Sequence, residues 1–194
     1  MPHFRLPRRI LSLLRYKHMD AERDLENIVE LSHFESQTSL PLTTPVQPNV
    51  LCNRLATAAQ ASSRKGVSVV FMSHLPDDFI LKTNRDALEK LLKHLLDNAT
   101  HFTRKGTITL SCNESGENIR FTVTDTSSGL GDTHTVNVFG RLIDPTFKTQ
   151  TVCMNFNICH SIARLLHGRV WIDKDYTDGI RFCFEVPKDV TIQS

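Results

Sequence analysis

The stretch Thr83–Leu130, TNRDALEKLLKHLLDNATHFTRKGTITLSCNESGENIRFTVTDTSSGL, decides how the rest of the 194-residue chain is read. Leu88, Leu91, Leu92, Leu95, Leu96, Ala99 and Phe102 recur at helical spacing and mark a buried helix face. Thr83 begins this helix, with Asp86 three residues on as a weak capping box, and Lys105-Gly106 breaks it. Asn98 and His101 fall near the edge of the apolar stripe, toward the helix end. TITLSC and NIRFTVTD alternate as two antiparallel strands joined around Glu114-Ser115-Gly116-Glu117, and the second runs into the acidic turn Asp125-Thr126-Ser127-Ser128-Gly129. An Asn on the solvent side of a buried helix and an Asp leading a Gly-containing turn suit a nucleotide and its metal. Taken singly, Asn98 reads as a helix-end residue and Asp125 as a turn former; their order and spacing together point to a site.

Upstream, residues Arg8 to about Phe34 can be drawn as helix, with Pro7 at its start and an apolar seam of Leu25, Ile28, Val29 and Ser32 flanked by Glu22, Asp24, Glu26 and Glu30. A lone amphipathic helix of this kind needs a partner surface. The Ser, Thr and Pro-rich segment 35–48 ends it and supplies the clearest boundary in the chain. Asn49 can cap a second helix through about Ser63, GVSVVFMS reads as a strand, LPDD as a turn and FILK as a short strand. Downstream, the poorly patterned segment from Ser127 to about Thr151 is too long for an ordinary connection and reads as a functional loop or lid. Val152–His167 recovers helical spacing, Gly168 ends that helix, and RVWID, KDYTDG and IRFCFEVP form a closing hairpin. Strands joined mostly as hairpins with helices interspersed give an α+β two-layer sandwich rather than a doubly wound parallel sheet.

Composition narrows the function classes. Apolar content of 40% and charged content of 23% are those of a soluble globular protein, and a net charge of +2 gives no general case for nucleic-acid binding. No apolar run is long enough for a transmembrane segment. Residues 1–19 carry five basic side chains and no acid; a membrane-surface helix, a transit peptide and a helical hairpin with a basic outer face all fit, and the hairpin is preferred because charge runs are usually solvated faces. The five cysteines, Cys52, Cys112, Cys153, Cys159 and Cys183, form no CxxC pair. They read as small core hydrophobes in a reducing, cytoplasmic compartment.

LLKHLLDNATHFTRKGTITL resembles the N box of sensor histidine kinases, and VTDTSSGL resembles their first glycine box. NVFGRLIDPTFKTQ is similar to the phenylalanine box and lid of that family, and TVCMNFNICHSIARLLHGRVWIDKDYTDGIRFCFEVP to its second glycine box and closing hairpin. The resemblance spans about Asn49 to Pro187 and implies a histidine-kinase-like ATPase fold of the Bergerat type over residues 49–190. It also implies a linker at 37–48 and, through LENIVELSHFES, a remnant of a dimerisation hairpin at 1–36. By the same resemblance Asn98 ligates Mg²⁺, Asp125 accepts the adenine amine, Gly129 lets the backbone pass the base, and Phe139, Arg141 and Lys148 belong to the lid or its phosphate contacts. His101 stands where the family often has a phosphate-binding Lys, and Asn155 where the second box has its last glycine.

The departures shape the expected function. The first Gly of the first box is Ser127, and the three glycines of the second box fall on Thr151, Cys153 and Asn155. Glycines allow close phosphate approach and positive φ angles, so the adenine side is expected to be preserved and the phosphate side damaged. No phosphoacceptor His motif is found: neither His18 nor His33 fits it. The chain is therefore expected to be a two-component signalling protein whose ATPase domain is a pseudokinase-like interaction module, binding ATP and Mg²⁺ weakly or not at all. Its expected partners are a sensor kinase or response regulator, with a homodimer through the N-terminal helix. The competing expectation is an ATP- and Mg²⁺-binding catalytic module that phosphorylates a His on a separate chain.

Overall fold

The computed structural model describes residues 25–126 and 149–189. In chain order they form α1 (residues 25–36), β1 (Thr44–Val46), α2 (Pro48–Ser62), β2 (Val67–Ser73), β3 (Leu81–Thr83), α3 (Arg85–Phe102), β4 (Gly106–Ser115), β5 (Asn118–Asp125), α4 (Thr149–Leu165), β6 (Arg169–Ile172) and β7 (Arg181–Pro187). Five strands make one sheet in the order β2-β4-β5-β7-β6, parallel only between β2 and β4. Its inner face is set by alternation: Leu110 and Cys112 of β4 stand level with Val123 and Phe121 of β5, Ile108 with Asp125, and Phe182, Phe184 and Val186 of β7 stand level with Val123, Phe121 and Ile119 on the other side of β5. Helices α2, α3 and α4 cover that face and share one hydrophobic core with it. This is the expected two-layer α+β sandwich.

Central helix α3 buries the stripe read from its period. Leu88, Leu91, Leu92 and Leu95 are fully buried, so truncating any of them to Ala would cost about 2–5 kcal/mol. Its cap differs by one residue from the expectation. Asn84, not Thr83, is the N-cap: its side chain accepts from the Ala87 N–H at 3.0 Å, while Thr83 is the last residue of β3. Asn49 likewise is no cap. Helix α2 starts at Pro48 behind Gln47, and the Asn49 amide donates instead to the carbonyls of Leu75 and Pro76, tying α2 to the turn after β2.

Two pairings depart from a chain of hairpins. β2 lies parallel to β4, with α3 as part of the crossover, and β3 leaves the main sheet to pair antiparallel with β1. Thr44–Val46, within the Pro-rich segment, therefore forms a strand, and Val46 is buried. Helix α4 ends through His167, whose φ of 56° is the left-handed residue of a Schellman motif closed by Gly168 N–H to the Ala163 carbonyl at 2.8 Å. Gly168 serves a different need from the one expected: a Cβ there would lie 2.1 Å from the Glu185 carbonyl oxygen, so only glycine lets the α4–β6 turn pass under β7.

The largest difference is the face that α1 buries. Leu25, Ile28 and Val29, the expected seam, are 63%, 52% and 62% exposed. Asn27 and Phe34 are buried instead, with Leu31 packed on the core between them. Lys90 Nζ sits 5.4 Å from the Phe34 ring centroid, and Arg164 of α4 donates to the carbonyls of Phe34 and Gln37, satisfying the end of the helix. Among the described residues no helix is long and apolar enough to cross a membrane, and the four described cysteines are buried and free. Burial pushes the Cys183 thiol up to about 11 and the Cys159 thiol higher still, which keeps both inert.

Candidate functional site

Asp125 ends β5 at a corner closed by the turn between β6 and β7. Its side chain is almost fully buried; Oδ1 accepts the Ile180 N–H at 3.2 Å, and the Asp125 N–H donates to the Ile180 carbonyl at 2.9 Å. The Tyr176 hydroxyl donates to the Asp125 carbonyl oxygen at 3.3 Å. Gly179 makes the corner possible, since an added Cβ would lie 2.2 Å from that carbonyl oxygen and 2.6 Å from Oδ1. The carboxylate is thus fixed from behind by backbone.

At the other element of interest, α1, α3 and α4 meet through three buried asparagines. Asn27 Nδ2 donates to Asn155 Oδ1 at 2.9 Å, and Asn155 Nδ2 donates to Asn98 Oδ1 at 3.0 Å. Asn98 is only 2% exposed, so it does not stand on the solvent side of α3 as its register suggested; α1 and α4 cover it. Asn98 Nδ2 has no hydrogen-bond partner among the described residues. Beside the three lies a cavity of about 340 Å³ lined among others by Glu26, Glu30, Lys90, Lys93, His94 and His101. Glu30 accepts from Lys90 Nζ at 2.8 Å and pairs with His94 Nε2 at 3.0 Å. Burial raises its pKa, but the Lys90 and His94 contacts outweigh that and hold the carboxyl below the ordinary 4.5. Among the described residues no group of three or more His, Cys, Asp and Glu side chains is placed to hold a metal.

Residues 83–190, more than half of the chain, match the model of the histidine kinase-, DNA gyrase B- and HSP90-like ATPases. The chain belongs to this ATPase family. Sensor protein KdpD of Clostridium acetobutylicum is 26% identical over 87% of this chain and 19% of its own length. Sensor histidine kinase YcbM of Bacillus subtilis is 30% identical over 69% of this chain and 43% of its own. The chain thus spans less than half the length of either relative. Among solved structures, histidine kinase ThkA in complex with the response regulator TrrA superposes with a TM-score of 0.74 at 20% identity, over 96% of this chain and 54% of that one. Full-length ShkA in complex with AMPPNP gives a TM-score of 0.72 at 19% identity, over 95% and 40%.

The two halves of the site fit the family's ligands differently. On the adenine side, a buried carboxylate backed by Gly179 fits a base that presents an amine donor. On the metal side the fit is poorer: Mg²⁺ needs hard oxygen ligands, and Asn98 Oδ1, on a side chain buried under α1 and α4, already gives one of its two lone pairs to the amide of Asn155. Asn98 and Asn155 are therefore brought together, with His101 lining the cavity beside them, while Gly129, Phe139, Arg141, Lys148 and the 127–148 part of the expected lid lie outside the described residues.

Asn27, Glu30 and Gly179 were missing from the candidate residues. Asn27 gives no signal by itself, being a polar residue on a helix judged by its apolar positions. Gly179 could be noticed as the glycine closing a polar turn before a strand, but its contact with Asp125 links positions 54 residues apart in sequence.

Proposed function

We propose that the chain is a two-component signalling protein whose ATPase domain has become a regulatory interaction module with weak or no nucleotide binding. The observation that carries this reading is the hydrogen bond from Asn155 Nδ2 to Asn98 Oδ1, which engages the oxygen a metal would need. A glycine at position 155 could not make it. Thr151 and Cys153 stand where the family resemblance expects glycines, the residue type that lets phosphate come close to backbone N–H groups. The partner class is a sensor kinase or response regulator in a reducing cytoplasm. ThkA, crystallised with TrrA, supports a response regulator as the contact.

The exposed stripe of Leu25, Ile28 and Val29 supports the second part of this reading, a homodimer in which residues 1–36 are the remnant of a dimerisation hairpin and 37–48 a linker to the ATPase domain at 49–190. Sedimentation of the full chain and of Ile28→Glu tests it; a monomer at all concentrations for both would rule it out.

One observation favours the catalytic alternative. The Asp125 corner retains its buried carboxylate and backbone support, so an ATP- and Mg²⁺-binding module phosphorylating a His on a separate chain keeps half of its site. Isothermal titration of the full chain with an ATP analogue and Mg²⁺ separates the two. Millimolar or absent binding is expected; submillimolar binding abolished by Asp125→Ala, followed by label transfer from ATP to a dimerisation hairpin supplied in trans, would replace the regulatory reading with the catalytic one.

A further inference from the structure

The parallel strands β2 and β4 begin at two corners built from the same residue types. Ser63-Arg64-Lys65-Gly66 leads from α2 into β2, and Thr103-Arg104-Lys105-Gly106 leads from α3 into β4. In each, the N–H of the Ser or Thr closes the helix, and the glycine turns the chain at positive φ, 89° at Gly66 and 121° at Gly106. Val67 stands level with Gly106, so the corners lie side by side, about 5 Å apart. They are tied together: the Gly106 N–H donates to the Gly66 carbonyl at 3.0 Å, and the Thr107 N–H donates to Thr126 Oγ1 at 2.9 Å. Arg64, Lys65, Arg104 and Lys105 are all exposed, and the ion pairs among the described residues involve other side chains. Cations at helix C-termini complement the dipole. Here, however, both helix ends are already closed by backbone N–H groups, and four cations stand where one per helix would serve. The corners are closer than the Debye length of about 8 Å, so the repulsion between them is incompletely screened and calls for an anion.

We propose that the paired corners, with Arg64, Lys65, Arg104 and Lys105, are a docking site for an anionic lipid surface. This goes beyond the reading above and does not depend on nucleotide binding. Residues 63–67 and 103–107 hold no aromatic side chain on which a nucleic-acid base could stack. Around the cations stand Ser63, Ser68 and Thr107, which give a partner protein no apolar anchor. A headgroup layer needs neither, since it attracts Lys and Arg by diffuse negative charge. The direction of α1 adds a further argument. It runs antiparallel to α3, with Phe34 at Lys90 and Asn27 joined through Asn155 to Asn98, so its N-terminal end lies toward the end of α3 that leads into Arg104 and Lys105. The sequence before it has five basic side chains and no acid in residues 1–19, interleaved with Phe4, Leu6, Ile10, Leu11, Leu13 and Leu14, and then Asp20, Glu22 and Asp24. A basic and apolar mixture of that kind suits an anionic membrane surface better than a nucleic acid.

Flotation of the full chain with vesicles tests the assignment. The chain is expected to bind phosphatidylcholine vesicles containing about one third phosphatidylserine, to ignore vesicles of phosphatidylcholine alone, and to be released at about 0.5 M salt. A basic residue near such a surface is worth about fivefold in affinity, so Lys65→Gln combined with Lys105→Gln is expected to weaken binding about thirtyfold. Arg64→Gln combined with Arg104→Gln repeats the measurement on the other two cations should the first pair fail to fold. Lys188→Gln is the control: Lys188 pairs with Glu114 at the opposite end of the sheet, and its loss is expected to change binding by less than about twofold. Failure of the full chain to bind anionic vesicles would overturn the proposal. So would binding that both double variants retain in full, which would place it on residues 1–19. Tighter binding to a short double-stranded DNA than to the vesicles at the same salt would overturn it too, and would make the corners a nucleic-acid site.

Discussion

Gly179 approaches Asp125 so closely that a Cβ would sit 2.2 Å from the Asp125 carbonyl oxygen. The contact is backbone on backbone, so no side chain can swing aside to relieve it. Gly179→Ala is expected to cost about 3 kcal/mol, at the upper end for overpacking, and to weaken any nucleotide binding by displacing the β7 end from the β5 corner. Gly116→Ala is the control. It lies in open space at φ +60°, so it carries only the left-handed backbone penalty of about 1 kcal/mol and leaves the Asp125 corner alone. Urea midpoints of the two variants, taken with the same titration, check both halves of the expectation.

On the opposite face of the sheet, Glu185 is a nearly buried carboxylate that accepts from Arg120 at 2.7 Å, Arg169 at 2.8 Å and Ser115 at 2.9 Å. Burial raises its pKa, but the hydrogen bonds from Arg120, Ser115 and Arg169 outweigh it and hold the group below the ordinary 4.5. Folding therefore favours the ionised form. That contribution is complete above the unfolded value and is lost as pH falls through the native one. The chain is expected to lose stability as pH falls below the ordinary carboxylate value of 4.5, and Glu185→Gln to flatten that slope while costing about 1–2 kcal/mol at neutral pH. Removing Arg120 and Arg169 together strands a buried charge and is expected to cost about 3 kcal/mol, more than removing the carboxylate. Denaturant melts at several pH values distinguish these outcomes.

The N-cap of α3 is a sharper test of local structure. Asn84 accepts from the Ala87 N–H, and its own amide donates to the Pro41 carbonyl at 3.2 Å. Asn84→Ala is expected to lose about 1 kcal/mol, whereas Asn84→Asp keeps the cap acceptor and loses only the Pro41 contact. A melt in which both variants match the parent would show that the helix end is held by tertiary packing alone.

These residues also show what a single sequence can and cannot reveal here. The buried stripe of α3 and the alternation of β4 and β5 were legible because each is a local period, and the core they build is the fold. The parallel β2–β4 pair was not legible, since a strand carries no mark of which neighbour it will meet; β3 was free to leave the sheet for β1. The α1 face was misread because counting apolar positions favours Leu25, Ile28 and Val29, whereas the helix is docked through Asn27, Leu31 and Phe34. At the site, Asn98, Asn155 and Asp125 could be found one by one from their motif positions. Their engagement with Asn27 and Gly179 depends on contacts more than fifty residues away along the chain and leaves no local trace.

The last expectation concerns the open edge of the sheet. β2 has β4 on one side, and on the other the Gln60 side chain of α2 takes the place of a strand: its Oε1 accepts the Val69 N–H at 2.7 Å and its Nε2 donates to the Val67 carbonyl at 3.3 Å. The edge it covers carries exposed Val70 and Met72, an apolar strand that another chain could extend. Gln60→Ala is expected to cost about 1–2 kcal/mol by freeing both groups, and to make the chain associate as its concentration rises. Gln60→Glu separates the two functions of the side chain. It can still accept from Val69 but presents an oxygen to the Val67 carbonyl, while its charge guards the edge, so it is expected to lose stability without associating. Light scattering together with urea midpoints reads both effects, and equal association of the two variants would mean that Gln60 is a packing residue and not a guard of the strand.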